Sequence, residues 1–265
     1  MIKFFATCYG AQYTPEEAGI AAKYDVIAVN QSTNAGAKAW FDSVRALNPS
    51  IKILAYLIVS QEPGSAPGVG NTILMDVNRW TAAQQDPWLV SPSLDIAAIQ
   101  LDTWKNRRLF DYRKAVWQTA FKDACRAILA AYAFDGLFFD NCTAAWAKHV
   151  SYGGAALTTS LQNVLLDVRR EFPSKILIGN SVENWMGLNG EMNEGRLADL
   201  AELSPYTGQV VPNANVYYMG LQPTTTDAQI QDVFLQVKSY GAMFGAYRWD
   251  GMLHWPSIFD TLKTL

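Results

Sequence analysis

Two acids stand where apolar segments stop. Ala133-Phe134-Asp135-Gly136-Leu137-Phe138-Phe139-Asp140-Asn141 reads as a short buried strand ending in a carboxylate, Asp140. Leu200-Ala201-Glu202-Leu203-Ser204 reads as another, with Glu202 inside it. Strand parity puts Asp140 on the face of Phe138, and Glu202 on the face of Leu200. A carboxylate at an apolar strand end is costly unless it is paired or used. Two of them facing one cavity could cleave a glycosidic bond. One protonates the leaving oxygen; the other attacks the sugar carbon or activates water. Mutual repulsion and partial burial can keep one of them protonated. The bland alternative for each acid is a helix cap or an ion pair with a core arginine such as Arg248.

Other strand ends carry polar and aromatic groups. The first ends Cys8-Tyr9, the third runs into Ser60-Gln61-Glu62, and the fifth ends Gly179-Asn180. The eighth ends Tyr247-Arg248-Trp249-Asp250. Tyr9, Trp146, Trp185, Trp249 and Trp255 fall at or just after strand ends, where they either stack on sugar rings or plug a barrel top. The only histidines are His149 and His254, too few for a multi-histidine zinc site. No metal and no cofactor is expected. Cys8 and Cys125 read as packing residues. Cys142 follows the fourth strand and is expected at the mouth, with no histidine nearby to make it a nucleophile.

These groups need a scaffold that brings strand ends together. Candidate strands are Lys3–Cys8, Asp25–Asn30, Lys52–Ser60, Gly136–Asn141, Lys175–Asn180, Leu200–Ser204, Asn215–Leu221 and Ala242–Trp249. Helical patterns cover Pro15–Lys23, Ala35–Leu47, Lys114–Tyr132, Ala155–Phe172 and Asp227–Tyr240, with weaker ones at Glu194–Leu197 and Pro256–Leu265. Thr14-Pro15-Glu16-Glu17 supplies a cap, a first-turn proline and first-turn acids. Pro173 and Gly241 end two of the others. This alternation predicts an α/β fold, a (β/α)8 TIM barrel with its chemistry at the C-terminal mouth. A doubly wound open sheet is the runner-up, weakened because no GxGxxG follows the first strand. Residues 61–113 form a long insertion between the third strand and its helix, expected over the mouth.

The bulk composition agrees. The chain has 265 residues, 50% of them hydrophobic and 17% charged, which suits one barrel domain over 1–265. The net charge of −3 and the lack of a basic run argue against nucleic acid and anionic membranes as partners. No apolar run is long enough to span a bilayer. The N-terminus reads as a first strand rather than a secretory signal. Compartment and oligomeric state have no signature in the residues.

The run Ile53-Leu54-Ala55-Tyr56-Leu57-Ile58-Val59-Ser60-Gln61-Glu62, with Asp86-Pro87-Trp88-Leu89 and the Asp140 segment, resembles a group of glycoside hydrolase barrels. That group includes the glycoside hydrolase family 114 type, endo-acting galactosaminidases, and related hypothetical glycosidases. Ile178-Gly179-Asn180 and Ala201-Glu202-Leu203 fall where the group has its fifth- and sixth-strand signatures. The resemblance implies a polysaccharide or oligosaccharide substrate, with Asp140 as nucleophile or charge stabiliser and Glu202 as general acid/base. Glu62 matches an acid after strand three, although Ser60-Gln61 stand where a glycine is more usual. Tyr9 and Trp249 would form the sugar platform, and Asn141, Asn180, Arg248 and Asp250 would bind hydroxyls. The alternatives are a non-catalytic carbohydrate-binding barrel, an inactive hydrolase relative, or a component of a phage or surface particle.

Overall fold

The computed structural model describes residues 3–8, 12–30, 35–59, 61–63, 100–101, 104–142, 154–180, 187–194, 215–248 and 253–265. Eight parallel strands form one sheet. In sheet order they are β1 (Phe5–Cys8), β2 (Val26–Asn30), β3 (Lys52–Ile58), β7 (Gly136–Asp140), β8 (Ile176–Asn180), β9 (Gly190–Asn193), β10 (Val216–Leu221) and β11 (Met243–Arg248). Phe4 bridges Phe244 in parallel, and Phe244 N–H donates to the Lys3 carbonyl at 2.9 Å. That contact joins the last strand to the first, so the sheet curls into a nearly closed (β/α)8 barrel and the open-sheet alternative fails. Helices α1 (Pro15–Ala21), α2 (Ala35–Leu47), α3 (Ala115–Ala131), α4 (Gly154–Glu171), α5 (Asp227–Ser239) and α6 (Ile258–Leu262) come between or after the strands. Among the described residues no helix is long and apolar enough to cross a membrane.

The local signals act as read. Thr14 and Glu17 close a reciprocal capping box on α1, satisfying two orphan amides at once. Gly241 takes φ +67° just after α5, where a side chain would be strained.

Strand parity splits the core in two. Phe5, Leu54, Tyr56, Phe138, Ile178, Met192, Val216, Tyr218 and Met243 fill the barrel interior. Leu137 and Phe139 join the cluster that includes Phe121 of α3 and Leu161 of α4. The run Leu137-Phe138-Phe139 is therefore buried on both faces, as a parallel strand requires. Gly136 starts β7 because nothing larger fits: a Cβ there would lie 1.8 Å from the Ile176 carbonyl oxygen. Gly136→Ala is expected to cost about 3 kcal/mol or more, lowering Tm by roughly 6–12 °C; calorimetry checks it.

One expectation is corrected. The sixth place in the sheet belongs to Gly190–Asn193, not Leu200–Ser204, which lies outside the described residues. Of the weak helical pattern at Glu194–Leu197 only Glu194 is described, as irregular chain; residues 195–197 lie outside the described residues. The crossover from β8 to β9 is only residues 181–189, shorter than the dozen or more residues a helical crossover takes. A reading tuned to full-length units skips such a strand, and β9 has one large apolar residue, Met192, to advertise it.

Residues 61–113 follow β3 in the chain. Within them β4 (Gln61–Pro63), β6 (Trp104–Leu109) and β5 (Gln100–Leu101) make a separate antiparallel sheet, in the order β4-β6-β5. Residues 64–99 lie outside the described residues.

Candidate active site

Asp140 ends β7 at the C-terminal mouth, on the interior face with Phe138. Three residues supply four hydrogen bonds to its carboxylate. The Asn141 backbone N–H and the Asn180 amide each reach Oδ1 at 2.8 Å. The Tyr56 hydroxyl donates to Oδ2, joined by the Asn141 amide at 3.3 Å. A carboxylate offers about four lone-pair sites, so all of them are engaged. This is the surrounding of an acceptor, not of an acid with a proton to give.

The local chain explains the convergence. Tyr56 shares the interior face of β3 and stacks on Phe138, with centroids 5.5 Å apart. Asn141 takes φ +49°, a left-handed turn that asparagine tolerates better than most residues. That turn folds both its amides back onto Asp140. Asn180 ends the neighbouring strand β8 and is buried.

Asn180 has a second acceptor. The same amide nitrogen lies 3.2 Å from Oε1 of Glu194 and 2.8 Å from Oδ1 of Asp140. The two carboxyl oxygens thus stand no more than about 6 Å apart, and about 5 Å if each amide proton serves one acid at trigonal geometry. Glu194 sits just beyond β9. Its carboxyl is pushed up from 4.5 to about 7 by desolvation first and by the Asp140 charge second, while donation from Asn180 pulls the other way. Glu194 is an exposed residue. Desolvation therefore counts for less than in a sealed pocket, and the adjacent charge sustains the upward direction.

Below the pair lies an aromatic floor. Tyr218 stacks on Tyr247 at 5.0 Å and meets Phe5 edge-on at 5.7 Å. Its hydroxyl accepts from the Thr7 backbone N–H at 3.1 Å and shares a hydrogen bond with Thr7 Oγ1 at 2.9 Å. Burial pushes the Tyr218 hydroxyl up, so it stays a neutral O–H.

The expected site residues divide as follows. Asp140, Asn141 and Asn180 come together, with both asparagines turned towards the acids. Glu62 lies in β4, in register with Arg108 of β6. Arg248 ends β11, in register with Leu221. Tyr9, Glu202, Trp249 and Asp250 lie outside the described residues, as do Trp146, Trp185 and His149. Trp255 is not at the mouth. It packs against Phe4, Tyr24 and Phe259 in the core outside the strands. Cys142 is fully buried in that same outer core, because the turn at Asn141 carries the chain away from the cavity. Sequence reading missed Glu194, Tyr56, Thr7 and Tyr218. Parity on β3 would have paired Tyr56 with the Asp140 face. The alternation Gly190-Glu191-Met192-Asn193-Glu194 would have flagged the acid.

No protein-family model matches the sequence, and no curated protein matches it. Solved structures do match in fold. The glycoside hydrolase domain of PelA from Pseudomonas aeruginosa gives a TM-score of 0.67 at 13% identity, over 95% of this chain and 96% of that one. Ega3 from Aspergillus fumigatus, in complex with galactosamine, gives 0.63 at 12% identity, over 95% and 92%. The GH36 α-galactosidase AgaB from Geobacillus stearothermophilus gives 0.63 at 9% identity, over 99% of this chain and 40% of that one. The likeness to glycoside hydrolase domains is one of barrel architecture.

Proposed function

We propose that this barrel is a glycoside hydrolase acting on a polysaccharide or oligosaccharide, with Asp140 and Glu194 as its carboxylate pair. The observation that carries the reading is the single Asn180 amide spanning both acids. Asp140, held by four donor contacts, acts as nucleophile or charge stabiliser at the anomeric carbon. Glu194, with its raised proton affinity, gives a proton to the leaving oxygen and then takes one from the incoming water. The shared donor keeps the two nearer oxygens within about 6 Å, which favours the retaining course over the roughly 6.5–9.5 Å spacing of inverting pairs. The half-buried Tyr247 is assigned to a wall of the sugar cleft.

The test is incubation with a panel of aminosugar, neutral and acidic polysaccharides. Wild type, Glu194→Gln and Glu202→Gln are compared, and products are read by mass spectrometry. Cleavage lost only in Glu194→Gln supports the assignment. Cleavage lost only in Glu202→Gln overturns it. Glycan retained without products would favour a binding barrel.

The pH profile follows from the pair. Glu194 must be protonated to act, so kcat/KM is expected to fall as pH rises through about 7. Asn180 donation favours the charged form, so Asn180→Ala should move that limb upward. Folding is linked to the same proton. The native chain keeps it above the ordinary value of 4.5, so this contribution to stability is present at low pH and is lost as pH rises through about 7.

A further inference from the structure

The general acid depends on a strand with unusually little support. β9 has four residues and follows a crossover of residues 181–189. It must still deliver Glu194 to within hydrogen-bond distance of Asn180. A slip of one residue would turn its whole interior face outward.

What holds its lower end is on the opposite rim of the barrel from the acids. Arg169, in the last turn of α4, is half-buried, and no carboxylate pairs with it among the described residues. Its guanidinium spends its donors on carbonyls. Nε reaches Gly187 O at 2.8 Å, and Nη1 reaches Lys175 O at 2.7 Å and Pro173 O at 3.4 Å. Nη2 donates to Oδ1 of Asn189. Arg169 thus ties together the chain entering β8 and the chain entering β9.

Asn189 passes the constraint on. It is buried, and its Oδ1 also accepts from Leu177 N–H of β8 at 2.6 Å. Its own N–H donates to Leu177 O at 2.7 Å. The pair of bonds imitates one more rung of the β8–β9 ladder, just before Gly190 pairs with Ile178. On the other side, Asn215 Oδ1 accepts from Glu191 N–H at 2.9 Å. Gly187 completes the fit: at φ +101° its Cβ position lies 3.3 Å from the Leu165 and Leu166 backbone of α4. Any side chain there would lever the β9 entry away from Arg169.

We infer that Arg169, acting through Asn189, is a positioning residue for Glu194: it sets the register and height of β9 from the far rim of the barrel. This rests on the reading of Glu194 as the general acid. A cation sunk among carbonyls costs desolvation energy, and stability alone gives no reason to place one there. Planar donors in a fixed fork do give one: they can hold four oxygens from two chain segments, which a lysine cannot. The distance bridged from Asn189 to Glu194 is about 17 Å, five residue steps at about 3.3 Å each.

The test compares wild type, Arg169→Lys and, as a control on the adjacent exposed guanidinium, Arg170→Lys. Calorimetry first establishes that each is folded. The Glu194 carboxyl is followed by carbon-13 NMR, assigned by its absence in Glu194→Gln, and kcat and KM are measured on the same preparations. In Arg169→Lys the Glu194 midpoint should fall by about one unit or more towards the ordinary carboxylate range. Its kcat should drop about ten-fold or more, with KM little changed, and free guanidinium ion at millimolar concentration should restore part of the loss. Arg170→Lys should match wild type. A folded Arg169→Lys with the wild-type midpoint and kcat overturns the inference.

If Arg169→Lys does not fold, Asn189 carries the test. Asn189→Asp keeps both acceptor bonds and should keep the midpoint and kcat, whereas Asn189→Leu should lose both. Equal behaviour of those two variants overturns the inference. Failure of the functional reading looks different: Glu194→Gln would cleave as wild type does, whatever Arg169 variants do to the titration.

Discussion

Glu194→Gln is expected to lower kcat by roughly 10²–10⁴-fold, the usual contribution of a positioned acid or base, with the barrel intact. Glutamine matches the glutamate in size and still presents a carbonyl oxygen to the Asn180 amide, so packing and that hydrogen bond survive. What disappears is the proton, and with it the fall in rate near pH 7. Substrates whose leaving group needs no protonation should suffer far less. An activated aryl glycoside that suffers as much as the natural polymer would count against the assignment. On the proposed pairing of Asp140 with Glu194, Glu202→Gln should stay within about three-fold of wild type. The contrast between the two glutamates is the sharpest available, because they lie in one short stretch of chain and the proposal rests on the 3.2 Å contact of Glu194 with the Asn180 amide.

Asp140→Asn should be more damaging still, roughly 10⁴-fold or more in kcat, as for loss of a central group in a catalytic unit. The amide cannot attack or balance an oxocarbenium-like charge. It also turns a donor towards Tyr56, Asn141 and Asn180, all of which donate to Asp140. Leaving such buried donors unmet costs about 1–3 kcal/mol, so a lower Tm is expected too. The diagnostic consequence lies on Glu194. Without the Asp140 charge its midpoint should drop below about 7, opposite in direction to Asn180→Ala. If both variants move the limb the same way, the electrostatic account of the pair is wrong. Azide offered to Asp140→Gly should restore turnover and give a glycosyl azide of inverted configuration if Asp140 is the nucleophile.

Much of this was legible in the residues. The Gly136–Asp140 strand announced itself because a fully buried parallel strand is a continuous apolar run, and its terminal acid stood out against that background. The capping box at Thr14 and the stop at Gly241 were legible because they depend on residues adjacent in sequence. Asn180 was found as a strand end, although its role as a donor shared by two acids was not. Trp255 and Cys142 were misplaced because nearness to a strand end does not say which way the chain turns afterwards.

Local chemistry therefore determined the barrel, seven of its strand positions and the carboxylate that ends β7, since periodicity, caps and apolar runs are properties of contiguous chain. The placement of Glu194, the proposed partner acid, was decided only by tertiary structure. Gly190–Asn193 is too short and too polar to declare itself. It becomes a strand because Ile178, Val216 and Tyr217 on its neighbours supply hydrogen-bond partners, and because Arg169 and Asn189 brace its start. Glu194 acquires its raised proton affinity only where desolvation and the charge of Asp140, far away in sequence, meet it at the mouth. Both are fields that exist only once the strands have closed.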